Sequence, residues 1–110
     1  MPKFAVLFSL KGETIAAMME RPSDREAMVR RVIEAAGGKL EAYYWMFGQY
    51  DGLVIADLPS SGTAAAVSLA TSSSGAFARI ETHELIPAGD VNTLLERAKG
   101  LKGAYAPPGL

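Results

Sequence analysis

The spacing of apolar residues in this 110-residue chain switches repeatedly between two and about 3.6, and the order of the switches restricts the fold more than any other feature. Residues 3–10, KFAVLFSL, are apolar and partly β-branched or aromatic, the pattern of a buried strand. KGETIAAMMERP then puts Ile15, Met18 and Met19 on one side of a short helix, which Pro22 stops because proline lacks the backbone donor a helix needs. Ser23 and Glu26 have the spacing of a capping box and predict the start of a longer helix. On that helix Met28, Val29, Val32, Ile33 and Ala36 form one stripe, Arg25, Arg30, Arg31 and Glu34 take the solvent side, and Gly37 and Gly38 end it. KLEAYYWMF and LVIADL read as two strands joined by GQYDG, whose glycines and Asp-Gly step suit the positive φ of a tight hairpin. After Pro59, Ser60 or Ser61 caps an alanine-rich helix through about Ala70, with Gly75 as its left-handed cap. AFARIETHELI is a fourth strand. Asp90 then caps a last helix with Val91, Leu94, Leu95 and Ala98 on one face, Lys99 near its negative end and Gly100 after it.

Strand, helix pair, strand, strand, helix, strand, helix is the split βαβ order, so the expected fold is an α+β ferredoxin-like sandwich with a four-stranded antiparallel sheet. Right-handed crossovers put the main helices on one face of that sheet. The expected organisation is a single domain over residues 1–100 and an extended or disordered tail over 101–110, where Pro107, Pro108 and two glycines fall. The other sheet face also needs a cover, because both alternate sets of the early strands are apolar: Phe4, Val6 and Phe8 against Ala5 and Leu7, then Tyr44 and Met46 against Tyr43, Trp45 and Phe47. A four-stranded sheet presents roughly 400 Å² of face, at the upper range of what a monomer exposes. The expected cover is a second copy of the chain, giving a homodimer or higher homo-oligomer through the sheet.

Composition narrows the classes of function. A hydrophobic content of 49% with 21% charged residues belongs to an ordinary globular domain. The net charge of −1, with acids and bases interspersed, leaves no electrostatic footprint for nucleic acid or an anionic membrane, and neither is an expected partner. The absence of cysteine excludes disulfides and thiolate chemistry. No stretch approaches the ~20 apolar residues of a membrane span, and MPKFAVLFSL carries no small-residue cleavage signal. The expected location is the cytoplasm.

The segment GGKLEAYYWMFGQYDGLVIADLP resembles the GYD domain family, within the broader dimeric α/β-barrel group. Gly37, Gly38, Tyr44, Gly48, Tyr50, Asp51 and Pro59 stand where that family's pattern has glycines, an aromatic residue, a Gly-x-Tyr-Asp and a proline. SSSGAFARIET is similar as well, and the likeness spans roughly residues 1–95. Acidic residues often follow the proline in the family, where this chain has Ser60 and Ser61. The resemblance implies the fold and dimerisation, and it implies no particular activity.

Two groups of residues are candidates for function. In the loop between Gly48 and Gly52, Asp51 is read as a turn residue that accepts from neighbouring amides, and Tyr50 as a ring laid on the sheet edge with a possible ligand contact. The fourth strand offers more. Arg79, Glu81 and His83 alternate with Ala78, Ile80 and Thr82, so the three ionisable groups share a face. His83 is the only histidine, with an ordinary pKa near neutrality. Glu81 and His83 are about 6.6 Å apart along a strand, a gap suited to gripping a small ligand. The plainer reading of this stripe is a solvated or intersubunit ionic margin. One histidine with scattered carboxylates gives no metal-ligand spacing, so no metal and no cofactor is expected. Met18, Met19, Met28 and Met46 read as core gap fillers, and the serines at 60 and 61 as helix caps rather than a phosphate site.

The leading expectation is a small oligomeric domain that binds a hydrophobic or mixed-polarity molecule at the sheet, with Tyr43, Trp45, Tyr50, Arg79, Glu81 and His83 as contacts. The alternatives are a cofactor-free enzyme, monooxygenase-like or isomerase-like, on a small hydrophobic substrate, and a purely structural or regulatory oligomer. An enzyme needs a cavity that contains a titratable group, a binder needs the cavity alone, and a structural oligomer needs neither.

Overall fold

A computed structural model describes residues 1–109. Its elements run β1 (Lys3–Leu10), α1 (Gly12–Glu20), α2 (Arg25–Ala35), β2 (Lys39–Trp45), β3 (Gly52–Asp57), α3 (Ser61–Ser72), β4 (Phe77–Leu85) and α4 (Val91–Leu101), with single 3₁₀ turns on either side of α4. The strands form one antiparallel sheet in the order β2-β3-β1-β4, the ferredoxin-like arrangement. It is an α+β fold with four α-helices among the described residues.

Register decides what each face carries. In β1, Phe4, Val6 and Phe8 stand opposite Ala56, Val54 and Gly52 of β3, and these residues point toward α2 and α3. Phe4, Phe8, Ile33, Leu40, Val54, Ala56, Leu58 and Ala64 form the buried core there. The main helices therefore do lie on one side. The intervening residues, Ala5, Leu7, Leu53 and Ile55, define the other, open face, where Ala5 is buried but Leu7, Leu53 and Ile55 stay partly exposed with no helix packed over them among the described residues. At one end of that face the Lys3 ammonium sits 2.9 Å from both Asp57 and Glu41, and those carboxylates, Asp57 foremost, hold its pKa above the usual range.

Several local expectations are corrected. Asp24, not Ser23, caps α2: its carboxylate accepts from the Ala27 amide at 3.0 Å, since aspartate one residue later serves as well as serine. Gly100 lies inside α4, where a helical glycine costs about 1 kcal/mol without ending the helix. Asp90 precedes α4 but makes no side-chain cap bond, because a 3₁₀ turn already holds its backbone near helical angles instead of the extended ones an N-cap needs. Met19, Met28 and Met46 are exposed in the single chain, whereas Met18 turns inward. Ser60 does cap α3, accepting from the Thr63 amide at 3.1 Å, and Gly75 has a φ of 77°.

The C-terminal helix stands apart in its burial. α4 buries none of its residues, and Leu95 on its apolar face is 60% exposed. The radius of gyration, 17.7 Å, exceeds the roughly 13 Å of a compact chain this long, as a projecting terminal segment requires. Of the expected tail 101–110, Leu101 is the last residue of α4, Lys102–Ala104 form a 3₁₀ turn, and position 110 lies outside the described residues.

Candidate functional site

The β2–β3 connection is built differently from a glycine-driven hairpin. Its positive φ belongs to Phe47, at 36°, and not to Gly48 or Gly52. A left-handed aromatic residue carries strain, and Phe47 stacks on Trp45 with centroids 5.6 Å apart and planes 2° from parallel. Gly52 serves a different need: a Cβ there would enter the ring of Phe8, so glycine lets that ring lie across β3. Asp51 also acts at longer range than a turn aspartate. Its Oδ2 accepts from the Leu10 amide at 2.8 Å, while its own amide donates to the Phe8 carbonyl at 2.7 Å. The carboxylate thus pins the loop to the end of β1, 41 residues away in sequence.

Between the helix-covered sheet face and α1, α2 and α3 lies a half-open cavity of about 440 Å³. Its wall is chiefly apolar, with Met18 from α1, Val29 from α2 and four aromatic side chains, Phe8, Tyr43, Trp45 and Phe77. The rings meet edge to face: Phe8 and Phe77 have centroids 5.4 Å apart at 88°, and Phe8 and Trp45 5.8 Å apart at 80°. α1, which itself buries no residue, is held over the cavity by two bonds to the Ala76 carbonyl, from the Lys11 amide at 3.2 Å and the Thr14 hydroxyl at 2.7 Å. Burial pushes the Tyr43 phenol up to about 12, with the nearby Arg25 opposing that rise. The hydroxyl of Tyr43 has no hydrogen-bond partner among the described residues. Arg25, expected on the solvent side of α2, lines this cavity together with Arg21.

The residues singled out in the sequence fall into two groups on opposite faces. Tyr43 and Trp45 line the cavity. Arg79, Glu81 and His83 lie opposite Ser9, Leu7 and Ala5 of β1 and so share the open face. The gap expected between Glu81 and His83 is closed, since the side chains turn toward each other and His83 Nε2 lies 3.3 Å from Glu81 Oε2. Tyr50 joins this second group. Its hydroxyl and the Glu81 carboxylate act on one another without a hydrogen bond of good geometry: Tyr50 first, then His83, hold Glu81 below the usual carboxylate range, and Glu81 raises Tyr50. Arg79 and His83 are exposed and Tyr50 and Glu81 half-exposed, so solvent screens these interactions. Among the described residues no three His, Asp or Glu side chains converge as a metal site, and no helix is long and apolar enough to cross a membrane.

Phe8, Phe77, Arg21 and Arg25 are among the cavity residues that sequence reasoning did not single out as site candidates. Phe8 and Phe77 had only a core-strand signal, and the two arginines look like any solvated helix-end charges until α1 and α2 are folded side by side.

An antiparallel ferredoxin-like sheet with helices on one face, an apolar chamber under them and a pinned Gly-x-Tyr-Asp loop defines the class of the protein. The chain belongs to the GYD domain family, whose model matches residues 4–95. No curated protein matches it. Among solved structures it is similar to At3g17210 from Arabidopsis thaliana, at 16% identity and a TM-score of 0.47 over 80% of this chain and 96% of that one.

Proposed function

We propose that this GYD domain is a small-molecule-binding protein that holds a largely apolar ligand in the chamber between its helices and its sheet, and that two copies associate through the open sheet face. The chamber is the observation that carries the reading: about 440 Å³ is within the usual range for ligand sites, and an aromatic wall with few polar groups is their usual lining. Self-association rests on Leu7, Leu53 and Ile55, apolar side chains left partly exposed at the centre of a face whose margins are ionic. The enzymatic alternative gains less support, because the only histidine lies on the face opposite the chamber within one protomer.

A thermal-shift screen of hydrophobic small molecules, run in parallel on Val67→Trp, tests the ligand site, because an indole at Val67 would fill the chamber from α3. Ligands should stabilise the wild type and not the variant. Equal stabilisation of both would remove the chamber from the reading. Light scattering should give at least twice the 11.6 kDa chain mass, falling to one chain in Ile55→Arg, because an unpaired charge at a buried interface costs several kcal/mol.

A further inference from the structure

The polar side chains of the chamber suggest what kind of molecule it takes. Four lining hydroxyls are already committed within the protein. Thr14 donates to the Ala76 carbonyl at 2.7 Å, Thr71 to the Val67 carbonyl at 2.9 Å and Ser74 to the Thr71 carbonyl at 2.7 Å, while Ser68 pairs with Thr82 at 2.6 Å. The lining groups left over are the guanidinium groups of Arg21 and Arg25, the Tyr43 hydroxyl, the Trp45 indole N–H and Ser23. All of them donate, and the arginines and the indole can only donate. Among the described residues two arginines line the chamber and no carboxylate does. Neither arginine has a salt-bridge partner among the described residues.

The two halves of the lining are also segregated. The aromatic rings come from β1, β2 and β4, at the floor, whereas Arg21, Ser23 and Arg25 come from the connection between α1 and α2 and the first residue of α2, where the chain is solvent-exposed or half-exposed. A ligand that fills this space has an apolar body on the rings and an acceptor end at the α1–α2 connection. Arg25 lies close enough to Tyr43 for its charge to bear on the phenol, so an acceptor at that end can be met by both. Glu26 bears on Tyr43 as well, more weakly, and is exposed and outside the lining.

We infer that the ligand of this chamber is an amphipathic organic anion, an aromatic or branched apolar body carrying one carboxylate, with the carboxylate at Arg21 and Arg25. The inference rests on the proposed ligand-binding role and adds the charge of the ligand to it. A planar guanidinium matches a carboxylate with two parallel hydrogen bonds, and such charge-assisted bonds are stronger than neutral ones.

Calorimetric titration near neutral pH with two probes of the same body, 2-naphthoate and 2-naphthalenemethanol, tests it on the wild type, on Arg21→Met with Arg25→Met, and on Val67→Trp. The wild type should bind the carboxylate about tenfold more tightly than the alcohol, the low end for a charged hydrogen bond at a partly exposed arginine. The double variant should lose that preference and keep its affinity for the alcohol, and added salt should narrow the wild-type difference. Equal affinities in the wild type, or a preference that survives in the double variant, would overturn the anionic ligand and leave the chamber as a neutral site. Binding of both probes unchanged in Val67→Trp would overturn the chamber itself as the site. Failure of the carboxylate probe to bind the wild type at millimolar concentration would overturn the inference for a body of this size.

Discussion

The two faces of the sheet are made from the same strands and nearly the same residue types, yet they have opposite fates. On the helix-covered face Phe4, Phe8, Val54 and Ala56 are buried, joined by Leu58 and by Ala64 from α3. One residue out of phase, Leu7, Leu53 and Ile55 remain partly exposed and Tyr44 is largely exposed. The difference lies in what covers each face, not in how apolar it is. α2 and α4 repeat the contrast at the level of helices. Each has 11 residues and an apolar stripe, but α2 buries Ile33 against the sheet and α4 buries nothing. A stripe records that a surface requires a partner and leaves the partner's identity open.

The largest effect that separates the faces should come from matched leucines. Leu58, 1% exposed, should cost about 2–5 kcal/mol as Leu58→Ala, and Leu7→Ala about 1 kcal/mol or less at concentrations where the chain is monomeric. Urea denaturation at low protein concentration measures both, and equal losses would abolish the distinction between a covered and an open face.

Asp51 holds the edge common to both faces. Asp51→Ala should lower stability by about 1–2 kcal/mol through loss of the bond to the Leu10 amide, with ligand binding and oligomer size unchanged. Selective loss of binding at full stability would move this residue from the frame of the sheet into the site.

The smallest effect concerns the covered face alone. Tyr43 has a folded pKa raised from 10.0 to about 12, so the unfolded chain releases its phenolic proton first as pH rises. Its contribution is fully present below about pH 10 and declines as pH rises through the folded value, by about 1 kcal/mol once solvent screening is allowed for. Tyr43→Phe should remove that part of the alkaline loss. Denaturation midpoints for the two proteins at pH values either side of 10 supply the check, and parallel losses would place the hydroxyl in solvent rather than at the chamber wall.

Whereas the second strand, read through Phe47, ends at Trp45, the order of elements, the Ser60 cap and the left-handed Gly75 were legible in the sequence because each rests on a period or a backbone preference that acts within a few residues. So was the sharing of one face by Arg79, Glu81 and His83, and of another by Tyr43 and Trp45, since side chains alternate along any strand. Whether those two faces are the same face is a different kind of fact. It depends on the register between strands, and the ladder here carries irregularities at Leu40/Ala42 and at Ser9/Leu10. A shift of one residue inverts every side chain that follows, and no local signal counts such shifts across strands. Tertiary structure therefore decided that Trp45 and His83 lie on opposite sides of the sheet. It decided likewise that Asp51 reaches Leu10, that Phe47 rather than a glycine takes the positive φ, and that Arg21 and Arg25 meet an aromatic chamber, because each depends on groups brought together only when the chain has closed on itself.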